Sequence, residues 1–376
     1  MKSQSREVLI IGGGIGGLSL ASGLADQDWK VKVVELGNGL AGGSGLGFPA
    51  YAYDALGYLG LQEPVSRVGF SNTKVKLCDA NGNLIRVKVH DQIPGREGPV
   101  ELMLGRPALI DTLRAEALNR QVEISYNTTF LRIEEQGSAV RVWFTDGSVG
   151  DFDLVIGADG LNSAVRREYV APGLTPRDTE GGFFRTLVPL SDTLSEAYAF
   201  EGEEGLVYTY PSGSGVVYAG IFVANSRGYL SDDEARDEFV RILETFSTPQ
   251  TAALIAEIRD YKAPVNFRGV QALFVEDPVI GRVVLIGDAA HTMPPNLGGG
   301  GSMAVEDASV LSRMIGSVDS KEVPNVLKEY SARRHPRVSR VLKDSWTVFS
   351  NGPSLDNWGG RKELKTAYTA WINTPA

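Results

Sequence analysis

The chain has 376 residues and a formal net charge of −9 at pH 7, from 37 basic and 46 acidic side chains. This acidic balance argues against a surface that binds the phosphate backbone of nucleic acids. The single cysteine, Cys78, excludes a disulfide framework and a cysteine-based metal cluster, and the three histidines are too scattered to suggest a metal site. No apolar run approaches the roughly 18 to 20 residues of a membrane span, and no secretory signal is visible, so we expect a cytoplasmic protein without a metal.

The first segment is predicted to form a parallel β-α-β unit. Residues 8–11 are a continuous apolar run, which is typical of a strand buried on both faces. A glycine-rich turn, an apolar helix over 18–24 and a second strand over 31–34 follow, and the second strand ends at Glu35.

The turn carries the pattern Gly12-x-Gly14-x-x-Gly17 between a strand and a helix. In such a turn the first glycine permits the tight bend, and the second lets a pyrophosphate approach the backbone. The third glycine lets helix and strand pack closely, and the helix N-terminus offers N–H groups to the phosphates. A carboxylate at the position of Glu35 can hold ribose hydroxyls, so the segment predicts dinucleotide binding.

Two further segments resemble this strand and glycine-containing turn, and a stretch of different composition lies between them. A helix is predicted to begin at Arg106, and a buried strand over 154–156 runs into the Gly157–Gly160 turn. Between about 180 and 268 the chain is rich in Tyr, Val and Phe, with a hairpin over 206–223 and a helix that opens on a capping box at Ser231 and Glu234. This block predicts a second sheet covered by helices.

Near residue 283 the pattern of the first segment recurs. It consists of a short buried strand, the pair Gly287-Asp288 and a glycine-rich turn into a helix from about Ser302. Residues 324–350 are predicted to be helical and to carry a solvated basic face. The residues of that face are Lys328, Arg333, Arg334, Arg337, Arg340 and Lys343. The tail after Gly352 receives no assignment.

Residues 153–166 and 281–295 resemble the two later fingerprints of the FAD-dependent aromatic hydroxylases, the single-component flavoprotein monooxygenases of the p-hydroxybenzoate hydroxylase type. The segment that starts at Arg106 resembles the start of that family's flavin-contacting helix. The resemblance runs in order over about residues 7 to 345. The predicted fold class is α/β, a Rossmann-like FAD-binding domain with a second, mixed-sheet substrate domain covered by helices.

The expected domain division follows from the changes in composition and in strand and helix pattern along the chain. Residues 1–70, 100–178 and 270–350 form the discontinuous FAD-binding domain in this interpretation. Residues 71–99 and 179–269 form the substrate-binding sheet domain, and 351–376 form a C-terminal tail.

Asp288 follows a buried strand and precedes a helix, so its carboxylate can accept hydrogen bonds from a ribityl chain. Backbone N–H groups in the Gly298–Gly301 turn can meet the N1/C2-carbonyl edge of a flavin, where negative charge develops on reduction. By resemblance, the two prolines after Met293 form a rigid wall beside the isoalloxazine, Asp159 orders the site around the phosphates, and the backbone at Phe130 contacts the adenine. The predicted cofactor-binding residues are Gly12, Gly14, Ile15, Gly16, Gly17, Glu35, Arg106, Phe130, Asp159, Asp288, Pro295, Gly298, Gly300 and Gly301.

Two positions depart from the family pattern. The family usually has Gly-Gln-Gly where this chain has Gly298-Gly299-Gly300, and the missing side chain is expected to loosen the loop or change flavin mobility. The family often has Pro-Asn in the region that Ala50-Tyr51 occupies here.

A stripe of aromatic residues along the second-region hairpin can line a substrate pocket or belong to the core. Arg185 can meet a substrate anion or enolate, or form a surface pair. The predicted substrate-binding residues are Arg185, Tyr208, Tyr210, Tyr218, Phe222 and Pro294. A tyrosine phenol can polarise or deprotonate a substrate hydroxyl, but no catalytic residue is assigned.

The resemblance implies an enzyme in which NADPH or NADH transiently reduces FAD. O2 then forms a flavin C4a-hydroperoxide that hydroxylates an aromatic or heteroaromatic small molecule, either phenol-like or a polyketide. The alternatives are a flavin-dependent epoxidase, a flavin reductase of the geranylgeranyl reductase type and a non-catalytic flavin- or drug-binding protein. The oligomeric state is not assigned.

Overall fold

The structure is a computed structural model that describes residues 6–40, 43–223, 230–260, 263–350, 368–374 and 376. Within those ranges the strands in chain order are β1 (Arg6–Ile11), β2 (Trp29–Glu35), β3 (Gly45–Pro49), β4 (Phe70–Ser71), β5 (Lys74–Asp79), β6 (Leu84–Val89), β7 (Glu101–Gly105), β8 (Glu123–Tyr126), β9 (Phe130–Gln136), β10 (Ala139–Phe144), β11 (Val149–Phe152), β12 (Leu154–Gly157), β13 (Arg177–Pro189), β14 (Tyr198–Gly202), β15 (Gly205–Pro211), β16 (Val216–Val223), β17 (Val265–Ala272), β18 (Val279–Ile280) and β19 (Val283–Leu285). The α-helices are α1 (Ile15–Ala25), α2 (Ala50–Tyr58), α3 (Gln62–Val68), α4 (Arg106–Asn119), α5 (Asp232–Leu243), α6 (Pro249–Asp260), α7 (Gly299–Ile315) and α8 (Val323–Ser350).

A six-stranded sheet with the order β18-β19-β12-β1-β2-β8 forms the first layer. Its strands are parallel except for the antiparallel pair β18 and β19. β1 lies at the centre of the sheet, and its four residues 8–11 are buried because both faces are covered. α1 returns from the carboxyl end of β1 and packs against α4 and α7. This arrangement brings the turns that follow β1, β12 and β19 to one edge of the sheet.

A seven-stranded mixed sheet with the order β17-β13-β16-β15-β14-β5-β6 forms the second layer. Helices α5 and α6 cover one face, where Phe184 stacks on Phe239 of α5 with ring centroids 6.0 Å apart. Because side chains alternate along a strand, the neighbours of Phe184 on β13, Phe183 and Arg185, lie on the opposite face. The cross-strand register places Tyr218 and Phe222 on this uncovered face as well.

The two sheets meet through the small antiparallel sheet β3-β7-β4. Gly45 of β3 lies directly against the ring of Tyr218, where a Cβ atom would overlap the ring. Gly105 at the end of β7 lies beside Val216 and donates its N–H to Ser212. The face of the second sheet that α5 and α6 leave uncovered therefore faces the first layer.

Helix α8 differs from the sequence prediction of a solvated basic face. Arg334 is 4% exposed and Arg337 is 7% exposed, and both form ion pairs with Glu306 of α7. The prediction was wrong for these two residues because their partner lies 28 or more residues earlier in the chain. The tail prediction falls mostly on residues 351–367, which lie outside the described residues.

The predicted fold class is confirmed: a Rossmann-like parallel sheet is accompanied by a second, mixed sheet with helices on one face. The domain boundaries stay a prediction. A search of the described helices finds none with the length and apolarity needed to cross a membrane.

Candidate functional site

The turn after β1 is shaped by three glycines that have different neighbours. Gly12 has φ +113°, and a Cβ atom there would overlap the carbonyl group of Ala158. A Cβ atom on Gly17 would overlap the carbonyl oxygen of Gly12. At Gly14, no atom of the described residues other than its chain neighbours lies within 4 Å of such a position. The first and third glycines are therefore required by the chain itself, whereas Gly14 borders open space at the N-terminus of α1.

The first turn of α1 is fixed against α7. A Cβ atom on Gly16 would lie 3.3 Å from Cβ of Ala304, so the two helices approach closely. Cδ1 of Ile15 lies 3.7 Å from the Cβ position of Gly301 at the start of α7. Gly14 provides no side-chain cap, so the amides of the first turn of α1 have no side-chain acceptor at that position. The N-termini of the two helices therefore border one cleft.

Glu35 lies at the end of β2 beside this turn. Its Oε2 accepts a hydrogen bond from the N–H of Gly13 at 2.8 Å, and its Oε1 accepts from the N–H of Gly37 at 2.7 Å. A carboxylate has about four acceptor positions, so both oxygens can still accept from ribose hydroxyls. Glu35 borders a cavity of about 130 Å³ together with Gly14, Arg106 and other residues.

The same cavity is bordered by two residues that the sequence analysis missed. The guanidinium of Arg114 lies 5.9 Å from the ring centroid of Tyr126 and donates to the carbonyl oxygen of Gly39. Arg106 and Arg114 are eight residues apart on α4, and this helical spacing is the signal that would have found Arg114. Phe130 packs instead into the cluster with Phe144 on β10, and its predicted adenine contact stays a prediction.

The turn after β12 carries Asp159. Its Oδ2 accepts from the N–H groups of Ala164 at 2.7 Å and Val165 at 3.1 Å. Its Oδ1 is buried and has no hydrogen-bond partner among the described residues. This orphaned oxygen fits an acceptor for a ligand hydroxyl or a bound water.

Arg166, the last residue of the 153–166 segment, is fully buried. Its guanidinium donates to the carbonyl oxygens of Leu161 at 2.6 Å and Ala289 at 2.9 Å. It therefore ties the turn after β12 to the turn after β19. Burial lowers the pKa of Arg166, and the nearby Asp159 opposes that change.

Asp288 lies in the turn after β19 with its side chain open to the cleft. The surrounding protein raises its pKa by desolvation, and the charges of His291 and Arg106 oppose the rise. Gly300 lies close to this carboxylate, since its Cβ position is 3.5 Å from Oδ1 of Asp288. The Asp288 side chain therefore lies beside the first turn of α7.

The Gly298–Gly301 turn forms another wall of the cleft. Gly298 has φ +63°, the left-handed conformation that favours glycine. Pro294 is buried and Pro295 is exposed, so only the second proline presents its ring to open space. The amides of the first turn of α7 have no side-chain cap and add the positive end of the helix dipole.

Five of the six predicted substrate residues lie on one face of the second sheet: Arg185, Tyr208, Tyr210, Tyr218 and Phe222. Pro294 lies outside that sheet, just before the Gly298–Gly301 turn. The hydroxyls of Tyr208 and Tyr218 are 2.9 Å apart, and Tyr208 also contacts the cluster that contains Phe222. The guanidinium of Arg185 lies 4.9 Å from the ring centroid of Phe183, and its Nε is buried without a hydrogen-bond partner among the described residues.

Tyr210 lies farther along β15, in a second apolar cluster with Met103. Phe349, at the end of α8, stacks edge-on against Phe222 with centroids 5.0 Å apart. No sequence pattern pointed to Phe349, because the contact joins residues that are far apart in the chain. Burial raises the pKa of Tyr208 well above its ordinary value, Tyr218 adds to the rise and Arg185 opposes it.

The residues of the cleft fit FAD. Open space at Gly14 and two helix N-termini suit a pyrophosphate and a flavin edge, and Glu35 suits a ribose. Asp288 and Oδ1 of Asp159 are acceptors without a hydrogen-bond partner among the described residues. The cleft is lined by backbone amides, carboxylates and the two arginines Arg106 and Arg114, a set that suits an organic phosphate ligand better than a metal.

Comparisons with known proteins give the same cofactor. The FAD binding domain family matches residues 5–345. 3-Hydroxybenzoate 6-hydroxylase 1 of Aquipseudomonas alcaligenes is 31% identical, over 97% of this chain and 96% of its own length. The FAD-dependent urate hydroxylase of Klebsiella oxytoca is 30% identical, over 89% of this chain and 88% of its own length.

A solved structure of a variant of Klebsiella pneumoniae HpxO complexed with FAD has a TM-score of 0.81 at 25% identity, and the match covers 98% of this chain and 94% of that chain. Sequence, fold and cleft thus agree on the cofactor and on the class of enzyme. The chain belongs to the FAD binding domain family and is an FAD-dependent aromatic hydroxylase.

Proposed function

We propose that the chain is an NAD(P)H- and O2-dependent monooxygenase that hydroxylates a phenol-like or heteroaromatic small molecule carrying an anionic group. The anionic substrate class is inferred from the surroundings of the Arg185 side chain. No described carboxylate forms an ion pair with it, and its Nε is buried without a partner. An unpaired cation in a partly desolvated site favours an anionic ligand strongly.

The cofactor residues have proposed roles that follow from their positions. Gly14 would border the pyrophosphate, Glu35 would hold the adenosine ribose and Asp288 would hold the ribityl chain. The amides of Gly300 and Gly301 would stabilise the flavin edge that becomes negative on reduction. FAD bound in this way supplies hydride acceptance from a pyridine nucleotide and the activation of dioxygen.

The residues of the second sheet are proposed to bind and orient the substrate ring. Phe183 and Phe222, with ring centroids 5.0 Å apart, supply an apolar wall on which a flat ring can stack. The raised pKa of Tyr208 keeps its phenol protonated at neutral pH, so the Tyr208–Tyr218 pair can donate a hydrogen bond to a substrate oxygen. The same apolar wall excludes water from the reacting centre.

The test is a screen of NADH and NADPH oxidation against anionic phenols, quinolones and polyketides, with hydrogen peroxide measured alongside. We expect one class to accelerate oxidation without an equal release of peroxide. Arg185→Gln should raise KM for that substrate by about tenfold or more while FAD affinity stays unchanged. Arg236→Gln is the control, because the half-buried Arg236 lies on α5, where it pairs with the exposed Asp233.

An unchanged KM in Arg185→Gln would contradict the anion-binding role. An epoxide product would favour the epoxidase alternative with the same oxygen chemistry. Double-bond reduction in the absence of O2 would favour the reductase alternative and would overturn the proposed reaction.

A further inference from the structure

A buried network of charged side chains lies behind the Asp288 turn and joins α7 to α8. We call it the α7–α8 ion network. Each of its side chains is less than one-tenth exposed. Its members are His291, Glu306, Asp307, Arg334 and Arg337.

Asp307 is the point at which this network meets the cofactor turn. Its Oδ2 accepts from the backbone N–H of Gly287 at 3.0 Å and from Nε2 of His291 at 2.6 Å. Its Oδ1 accepts from Nε of Arg334 at 2.8 Å. One carboxylate thus holds both ends of the turn that contains Asp288.

The proton on His291 can be assigned from its partner. Burial alone would raise the pKa of Asp307, but His291 and Arg334 outweigh it and lower the pKa below its ordinary value. An ionised carboxylate only accepts hydrogen bonds, so Nε2 of His291 carries the proton. The backbone N–H of His291 also donates to the carbonyl oxygen of Gly287 at 2.8 Å, which closes the turn from inside.

Asp288 itself has no side-chain hydrogen bond to the described residues. Its carboxylate is therefore placed only by the backbone of the turn. Gly287 adopts φ +59°, and its Cβ position lies 3.1 Å from Cβ of Ala304 on α7. A shift of the turn would consequently move Asp288 relative to the first turn of α7, which borders the same cleft.

We propose that Asp307 and His291 are positioning residues that fix the Asp288 turn against α7 and so set the affinity of the chain for FAD. Neither side chain is placed in the cofactor site. The proposal rests on the proposed contact between Asp288 and FAD, and not on the proposed reaction. Arg334 and Glu306 complete the arrangement by holding Asp307 and α7 in register with α8.

The experiment compares His291→Leu, His291→Gln and Asp288→Ala with the natural chain. Each protein is stripped of FAD and titrated with FAD, with flavin fluorescence as the readout and thermal unfolding of the apoprotein as a second readout. We expect His291→Leu to raise Kd for FAD about tenfold, which is the loss of one charge-assisted hydrogen bond. His291→Gln retains an N–H donor that can reach Asp307, so it should recover most of the affinity.

The matched control is His335→Gln, which removes an exposed histidine–carboxylate pair with Glu276 and should leave Kd unchanged. If Asp288→Ala weakens FAD binding and His291→Leu does not, the positioning role is overturned. If Asp288→Ala binds FAD as tightly as the natural chain, the proposed contact itself fails. Should His291→Leu not fold, His291→Asn replaces it, because its shorter side chain cannot reach Asp307; a Kd equal to that of the natural chain would again overturn the proposal.

Discussion

At the scale of single residues, Gly14 is distinguished by what surrounds it. Gly12 and Gly17 lack side chains because a Cβ atom would overlap neighbouring backbone. Gly14 has φ −82° and ψ −171°, which any residue can adopt, and apart from its chain neighbours no atom of the described ranges lies within 4 Å of its Cβ position. The fold therefore does not need a glycine there, and the remaining reason is close approach of a ligand.

This contrast makes Gly14→Val a selective test. We expect the variant to fold with a thermal midpoint close to that of the natural apoprotein and to lose FAD on gel filtration, because the side chain blocks the pyrophosphate. Gly269→Val is the matched control, since the Cβ position of Gly269 also has no non-neighbouring atom within 4 Å in the described part of the chain, but Gly269 lies on β17. Full flavin occupancy in Gly14→Val would show that the pyrophosphate lies elsewhere.

Gly299 illustrates what a single position can hide from sequence reasoning. The absence of a side chain there predicted a looser loop. In the structure Met293 and Val341 fill the space, with Cγ1 of Val341 3.1 Å from the Cβ position of Gly299. Val341 belongs to α8, so part of the space is filled by a helix that lies outside the glycine motif.

At the scale of elements, α8 shows how one helix can serve two layers. Its middle carries Arg334 and Arg337, which pair with α7 behind the cofactor turn. Its end carries Phe349, which packs against Phe183 and Phe222 of the second sheet. Helical periodicity predicted the helix but not the burial of its arginines, because two buried carboxylates on α7 are needed to compensate their charge.

The buried ion network predicts a defined dependence of stability on pH. The pKa of Asp307 lies below its ordinary value of 3.8 in the folded chain, because His291 and Arg334 outweigh the effect of burial. A lowered folded-state pKa stabilises the fold above the unfolded-state pKa, and this stabilisation is lost as pH falls through the folded value. Asp307→Asn should therefore cost about 3 to 5 kcal/mol at pH 7, and the cost should shrink below about pH 4.

Urea unfolding at pH 7, 5 and 2.5 measures this cost, because the lowest of these pH values lies well below the unfolded-state pKa. Glu63→Gln is the control: it removes an exposed pair with Arg67 and should change the free energy of unfolding by less than about 1 kcal/mol at each pH. A cost of Asp307→Asn that stays the same at all three pH values would contradict the assigned ionisation.

At the scale of the whole molecule, the sequence was most informative where local rules apply. The buried run at 8–11, the glycine spacing and the position of Glu35 predicted the β-α-β unit, and the structure has it. Alternation along β15 and β16 predicted shared faces for the tyrosines, which the register confirms. The contacts of Phe349 and the Arg166 bridge could not be predicted, since they depend on how distant segments pack.

The molecule places the cofactor cleft and the Arg185 face of the second sheet against each other through β3 and β7. We propose that this arrangement serves to transfer one oxygen atom from O2 to an anionic aromatic ring. The most direct test incubates the FAD-loaded enzyme with NAD(P)H, the best substrate of the screen and ¹⁸O-labelled dioxygen, followed by mass spectrometry of the product. We predict one ¹⁸O atom in the hydroxylated product; a product without label, with all ¹⁸O recovered as hydrogen peroxide, would contradict the account.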